Sequence, residues 1–224
     1  MQLQGKVINF LGDSITEGAG MQGKMHLRYH QVIKRDCALK DANVYGVGGT
    51  RFAYQTKPSP SPKWDLYFPG RAFTMDTSAD IVVVYGGVND YIHGDAPFGQ
   101  AGDTQPTTFC GAVRYLMEYL KNTYKGKPIV FMSPARCHCQ GVSCLQVSPR
   151  ECKHPDSKPL QAYVDVIKRT GEELGIPVLD LYTHLRIDPS NAEDYQKYTV
   201  DGLHFNEFGH AVIAEKLKEF LLAL

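Results

Sequence analysis

Five short apolar runs, separated by stretches of helical periodicity, limit what this chain can fold into more than any other feature. Lys6 to Leu11, Asn43 to Val47, Ile81 to Gly86, Pro128 to Met132 and Ile176 to Asp180 are largely apolar at consecutive positions rather than alternate ones. Strands patterned in this way are buried on both faces, as in a parallel sheet covered by helices. Between them, apolar residues recur at helical spacing: Met25, Tyr29, Val32, Ile33 and Cys37, then Phe109, Val113, Leu116, Met117 and Leu120, with Thr107 or Thr108 as cap. Leu160, Tyr163, Val164, Ile167, Gly171 and Leu174 form a third stripe, and Ile213, Leu217, Phe220, Leu221 and Leu224 a fourth, capped by Asn206. The alternation predicts a doubly wound α/β sheet. The 224 residues read as a single domain over 1–224, long enough to bury a sizeable core.

Lys plus Arg and Asp plus Glu are each 24, so the formal net charge is zero. With no basic stripe and no acidic tail, a nucleic-acid partner is disfavoured, as is an electrostatic membrane anchor. The first residues, Met1 to Lys6, lack the apolar segment of a signal peptide, and no run approaches the length of a membrane span. A cytoplasmic protein with no membrane partner is the expectation.

In open α/β sheets, ligands gather at the carboxyl ends of the strands. The first strand runs into Gly12-Asp13-Ser14-Ile15-Thr16-Glu17-Gly18, which sets the Ser14 hydroxyl at that edge. A serine is a weak nucleophile until a base removes its proton. Asp13 and Ser14 are also residue types that cap helices, and the segment is not a Gly-x-Ser-x-Gly elbow, because Thr16 stands where the second glycine belongs. Near the other end, Asp201-Gly202-Leu203-His204 offers an imidazole base with a carboxylate three residues away to orient it. Gly46-Val47-Gly48-Gly49-Thr50 and Gly86-Gly87-Val88-Asn89-Asp90 end two further strands. The first offers backbone N–H groups unshielded by side chains, and the second offers the amide of Asn89. Neither run is a phosphate or dinucleotide fingerprint. Nucleophile, base, carboxylate and donors fall at separate strand or helix ends on one edge of the sheet, which favours a catalytic reading over four unrelated structural ones.

These stretches resemble the blocks of the SGNH hydrolases, also called GDSL esterases/lipases. Gly12–Gly18 is similar to the first block, Gly46–Arg51 to the second, Gly87–Asp90 to the third and Asp201–His204 to the fifth, in order from Val7 to about His210. Val44 and Phe205 depart from the usual residues without touching a catalytic atom. The resemblance implies a three-layer α/β/α flavodoxin-like sandwich with a five-stranded parallel sheet, and metal-free ester or thioester hydrolysis without a cofactor. It also implies a Ser14, Asp201 and His204 triad, with an oxyanion hole from Ser14, Gly49 and Asn89. A one-residue slip would put Gly48 in place of Gly49.

The long segments Thr50–Ala79, Asp90–Gln105 and Ser133–Pro159 are expected to wall a cleft. Asp13, Arg51, Trp64 and Tyr91 are the expected substrate contacts, with Tyr54 and His93 nearby. Aromatics and a cation suit a sugar or another polar alcohol, so a short acyl group, such as acetyl on a carbohydrate, is the first expectation for substrate. A lysophospholipase or thioesterase is the enzymatic alternative, and a silent binding module or a flavodoxin-like nucleotide binder the alternative from another class. Four of the six cysteines, Cys137, Cys139, Cys144 and Cys152, fall beside His138 and His154. Their spacing is poor for zinc, and free thiols are favoured over a disulfide.

Overall fold

The computed structural model describes residues 1–138 and 156–224. Five strands, β1 (Val7–Gly12), β2 (Asp41–Gly46), β3 (Ile81–Tyr85), β4 (Ile129–Met132) and β5 (Val178–Leu179), form one sheet in the order β2-β1-β3-β4-β5. Every pairing is parallel. The helices that bear on the site are α1 (Ser14–Glu17), α2 (Tyr29–Asp36), α3 (Phe68–Ala72), α4 (Val88–His93) and α5 (Phe109–Thr123). They are followed by α6 (Leu160–Leu174), α7 (Leu181–His184), α8 (Ala192–Tyr198) and α9 (Glu207–Ala223).

Strand side chains alternate between two apolar layers. Ile81, Val83 and Tyr85 of β3 join Val130 and Met132 of β4 on the face covered by α2 and α9. Val82 and Val84 join Ile129 and Phe131 on the face covered by α5 and α6. Both faces are therefore covered, which is why the runs lack alternation. The chain turns back across the sheet between β1 and β3, so the switch point lies at their carboxyl ends. There Gly12 is level with Gly46 on one side and Tyr85 on the other.

Three expectations shift. Strand β5 is shorter than Ile176 to Asp180, because the Ile176 N–H closes the end of α6 on the Gly171 carbonyl at 2.8 Å and Asp180 caps α7. Met25 is 41 % exposed and off the α2 stripe, because the extended Arg28 starts that helix only at Tyr29. Leu224 is exposed at the end of α9. The caps Thr108 and Asn206 are as expected, the first accepting from Gly111 N–H and the second from Phe208 and Gly209 N–H. No helix among the described residues is long and apolar enough to cross a membrane.

Candidate active site

Where β1 ends, Asp13 caps α1, its Oδ1 accepting the Ile15 N–H at 3.0 Å. Ser14 is the first helical residue, so its N–H has no intrahelical partner. Its Oγ lies 2.9 Å from His204 Nε2. His204 sits in the turn between α8 and α9, which a Thr199–Phe205 bridge and the Val200 N–H to His204 carbonyl bond (2.9 Å) hold in shape. Asp201 Oδ1 accepts the N–H groups of Leu203 at 2.9 Å and His204 at 2.7 Å, while Oδ2 stands 2.7 Å from His204 Nδ1. One carboxylate thus shapes the turn and holds the ring. Since an ionised carboxylate only accepts, Nδ1 carries the proton and Nε2 is left to accept from the serine hydroxyl.

Burial opposes a charged imidazole at His204, but the hydrogen bond and charge of Asp201, helped by the charge of Asp13, raise its pKa. Burial likewise opposes the Asp201 charge, and the bonds from His204 and Leu203 still hold its pKa below the usual value. Burial pushes Asp13 up to about 6. Its Oδ2 has no hydrogen-bond partner among the described residues.

The glycine loop after β2 packs against Ser14: a Cβ on Gly48 would lie 3.4 Å from the Ser14 Cβ. Gly48 donates its N–H to Glu17 Oε2 at 2.8 Å. Gly49 turns with φ +77°, and its N–H meets no acceptor among the described residues. Of the two glycines left open by the sequence, Gly49 therefore has the uncommitted donor. The loop is fixed by the Val47 N–H to Gly12 carbonyl bond at 3.1 Å and the Thr50 Oγ1 to Val47 carbonyl bond at 2.7 Å. Arg71 of α3 ties it further, donating to Thr50 Oγ1 at 2.8 Å, to the Gly12 carbonyl at 3.1 Å and to the Tyr45 carbonyl. Burial lowers the Arg71 pKa to about 10, so it stays charged at neutral pH. Asn89 of α4 donates Nδ2–H to the Thr50 carbonyl at 3.0 Å and presents Oδ1 to His93 Nε2 at 3.1 Å.

The expected substrate contacts divide. Trp64 stands at the site, its indole against Gly49 and 4.8 Å from the His93 ring by centroids. Arg51 borders the same cavity as Trp64 and His93. It is 3 % exposed and bonded to Asp65, Ser59, the Trp64 carbonyl and His93, so it braces the 51–65 segment. Tyr91 is misplaced by the sequence reading. It points from the far side of α4 into the apolar layer, against Tyr163. Asp13 is buried and spends one oxygen on its cap. Tyr54 is exposed and edge-on to Tyr67. Sequence reasoning gave no role to Glu17, Arg71 or Asp90. Asp90 is buried and accepts the N–H groups of Phe52 at 2.9 Å and Ala53 at 3.0 Å. Its only sequence signal is its place beside Asn89; Arg71 has none.

Cys139, Cys144, Cys152 and His154 lie outside the described residues, so their pairing has no structural account. Cys137 is buried, and His138 turns Nδ1 to the Pro189 carbonyl at 3.2 Å. Among the described residues no group of His, Cys, Asp and Glu is arranged to hold a metal ion.

A family model described as GDSL-like Lipase/Acylhydrolase matches residues 10–212. No curated protein matches the chain in sequence. A solved structure of a protein from Lactobacillus plantarum is 28 % identical with a TM-score of 0.80, covering 98 % of each chain. The acetyl xylan esterase AlAXEase is 17 % identical with a TM-score of 0.63, over 96 % of this chain and 99 % of that one. A carbohydrate acetylesterase family member from Sinorhizobium meliloti, also 17 % identical with a TM-score of 0.63, is covered over 97 % of its length and 96 % of this chain.

Proposed function

Because this chain belongs to the GDSL-like lipase/acylhydrolase family, we propose that it is a serine esterase acting on short-chain acyl esters of a small polar alcohol, acetylated carbohydrate foremost. The observation that carries the reading is the relay from Ser14 Oγ to His204 Nε2 at 2.9 Å and from His204 Nδ1 to Asp201 Oδ2 at 2.7 Å. In it, Ser14 Oγ attacks the acyl carbonyl carbon as its proton passes to His204 Nε2. The charge on the carbonyl oxygen is met by the N–H groups of Ser14 and Gly49 and by the Asn89 amide. Such preorganised donors form before charge develops and need no reorganisation then. The imidazolium protonates the departing alkoxide, leaving an acyl-serine. His204 then takes a proton from water, whose oxygen attacks the acyl carbon; as the bond to Ser14 Oγ breaks and the acid leaves, His204 returns that proton to Oγ. Asp201 keeps the imidazole in the required tautomer throughout.

The substrate class draws support from the surroundings of the relay. A cavity of about 170 Å³, bordered by Arg51, Trp64, His93, Lys57, Pro58 and Pro60, adjoins Gly49 through Trp64 and Asn89 through His93. Its size, and the Trp64, Pro58 and Pro60 faces set beside the polar Arg51, Lys57 and His93, suit a sugar ring better than a long acyl chain. The names of two structural neighbours, an acetyl xylan esterase and a carbohydrate acetylesterase, point the same way.

The test is hydrolysis of p-nitrophenyl esters from acetyl to decanoyl, with Ser14→Ala alongside. We expect rates that fall with acyl length and a folded Ser14→Ala variant without turnover. A folded variant with near-full activity overturns the mechanism. Rates rising with acyl length overturn the substrate class in favour of lipids or thioesters.

A further inference from the structure

Resting on the reading that Asn89 donates to the oxyanion, we propose that His93 is a positioning residue that locks the Asn89 amide with Nδ2 toward the reacting carbonyl, and that Arg51 fixes the His93 tautomer in turn. The proton assignments follow from donor chemistry alone. A guanidinium only donates, and Arg51 Nη1 lies 3.2 Å from His93 Nδ1. Nδ1 is therefore the bare nitrogen, and the proton of the neutral ring sits on Nε2. That Nε2–H faces Asn89 across 3.1 Å, so the Asn89 atom there is the acceptor Oδ1. The amide nitrogen is thereby turned to the other side, where one of its hydrogens meets the Thr50 carbonyl at 3.0 Å. The second hydrogen is left over at the site. Each assignment demands the next, and the reverse amide orientation would set Oδ1 against the Thr50 carbonyl and two donors against each other.

The surroundings keep the link rigid. Asn89 and His93 are four residues apart on α4 and share its inner face. Both are buried, as is Arg51. Arg51 is itself held by Asp65 Oδ1 at 2.9 Å, the Trp64 carbonyl at 3.2 Å and the His93 carbonyl at 3.3 Å. Burial, and the Arg51 charge after it, push the His93 pKa down to about 3. The ring is therefore neutral across the working pH range, as the single proton on Nε2 requires.

A double-mutant cycle on p-nitrophenyl acetate with Asn89→Ala and His93→Phe, and His93→Gln as rescue, tests this. His93→Phe removes the donor while filling the space. We expect kcat to fall about 10- to 100-fold, short of or equal to the loss of a whole oxyanion donor, with KM little changed. In the Asn89→Ala background the same change should cost less than about twofold, since a residue that acts through another has nothing left to act on. His93→Gln, whose amide can donate to Asn89 and accept from Arg51, should recover most of the loss. Two losses that multiply, a raised KM with unchanged kcat, or a His93→Phe enzyme as fast as the parent each overturn the proposal. Where His93→Phe does not fold, His93→Met replaces it in the same cycle. Ser14→Ala measured in parallel separates the two levels: activity that survives there refutes the serine mechanism itself, whereas Ser14-dependent activity indifferent to His93 refutes only the positioning role.

Discussion

The two adjacent glycines after β2 allow a sharp test, because their surroundings differ while their chemistry is the same. At Gly49 the backbone is left-handed, with φ +77°, and an alanine there costs about 1–2 kcal/mol. Its Cβ would also stand 2.1 Å from Trp64 Cδ1 and 2.2 Å from Nε1. Contact between carbon atoms settles near ~3.5 Å, so indole and loop together must separate by more than about 1 Å. If the loop yields, the Gly49 N–H leaves its line, and losing one oxyanion donor costs about 10²–10³ in kcat, or about 2.7–4 kcal/mol. At Gly48 the Cβ would meet Glu17 Oε2 at 2.7 Å, the movable end of a side chain. The cost there is a charge-assisted hydrogen bond, about 1.5–3 kcal/mol of stability at most. We expect folded Gly49→Ala to lose about 100-fold or more in kcat on p-nitrophenyl acetate, with a Tm lower by about 3–10 °C. Gly48→Ala should stay within about tenfold of the parent. A folded Gly49→Ala enzyme near the parent rate, beside a Gly48→Ala enzyme that is nearly dead, would refute the assignment and move the donor one residue back.

Three further outcomes follow from charge and burial. The proposed mechanism needs the His204 imidazole neutral, and Asp201 and Asp13 raise its pKa, so kcat/KM should fall on acidification with a midpoint above the usual histidine value of about 6.5. Asp13→Asn keeps the helix cap but removes a negative charge that favours the imidazolium. The acid limb should therefore move to lower pH in a pH–rate profile, and an unmoved or raised midpoint would contradict the coupling. Asp90→Ala leaves the buried N–H groups of Phe52 and Ala53 without an acceptor. The expected destabilisation is about 2–4 kcal/mol, read as a Tm lower by about 5–15 °C in thermal melts.

The sequence exposed most of this architecture because its signals are local. A strand buried on both faces is apolar at every position, so β1, β3 and β4 could be read directly. Ser14, Gly49, Asn89, Asp201 and His204, the groups of the proposed reaction, stand within a few residues of a strand end or helix start, where short motifs draw attention to them. What failed depends on direction rather than spacing. Tyr91 and Asn89 are two residues apart on α4 and look equally close to the cleft on paper. Half a helical turn separates them, and only Asn89 and His93, one full turn apart, point inward together. Strand β5 was overdrawn because an apolar run does not show where a helix stops: Ile176 is spent on the end of α6, leaving two residues to pair.

Charge was legible only in part. Arg51, two residues after Gly49, does border the cavity. Its ion pair with Asp65, fourteen residues away across a proline-rich segment, has no periodicity to betray it. The same holds for Arg71, Glu17 and Asp90. Each bonds the backbone of the loops around the site: Arg71 the Gly12 and Tyr45 carbonyls, Glu17 the Gly48 N–H, and Asp90 the N–H groups of Phe52 and Ala53. A glycine loop able to bring N–H groups up to a ligand is flexible in isolation. Oxyanion donors are effective only when held before the charge appears. The polar side chains behind the loop resolve that conflict, which is why groups that do not enter the proposed reaction surround the groups that do.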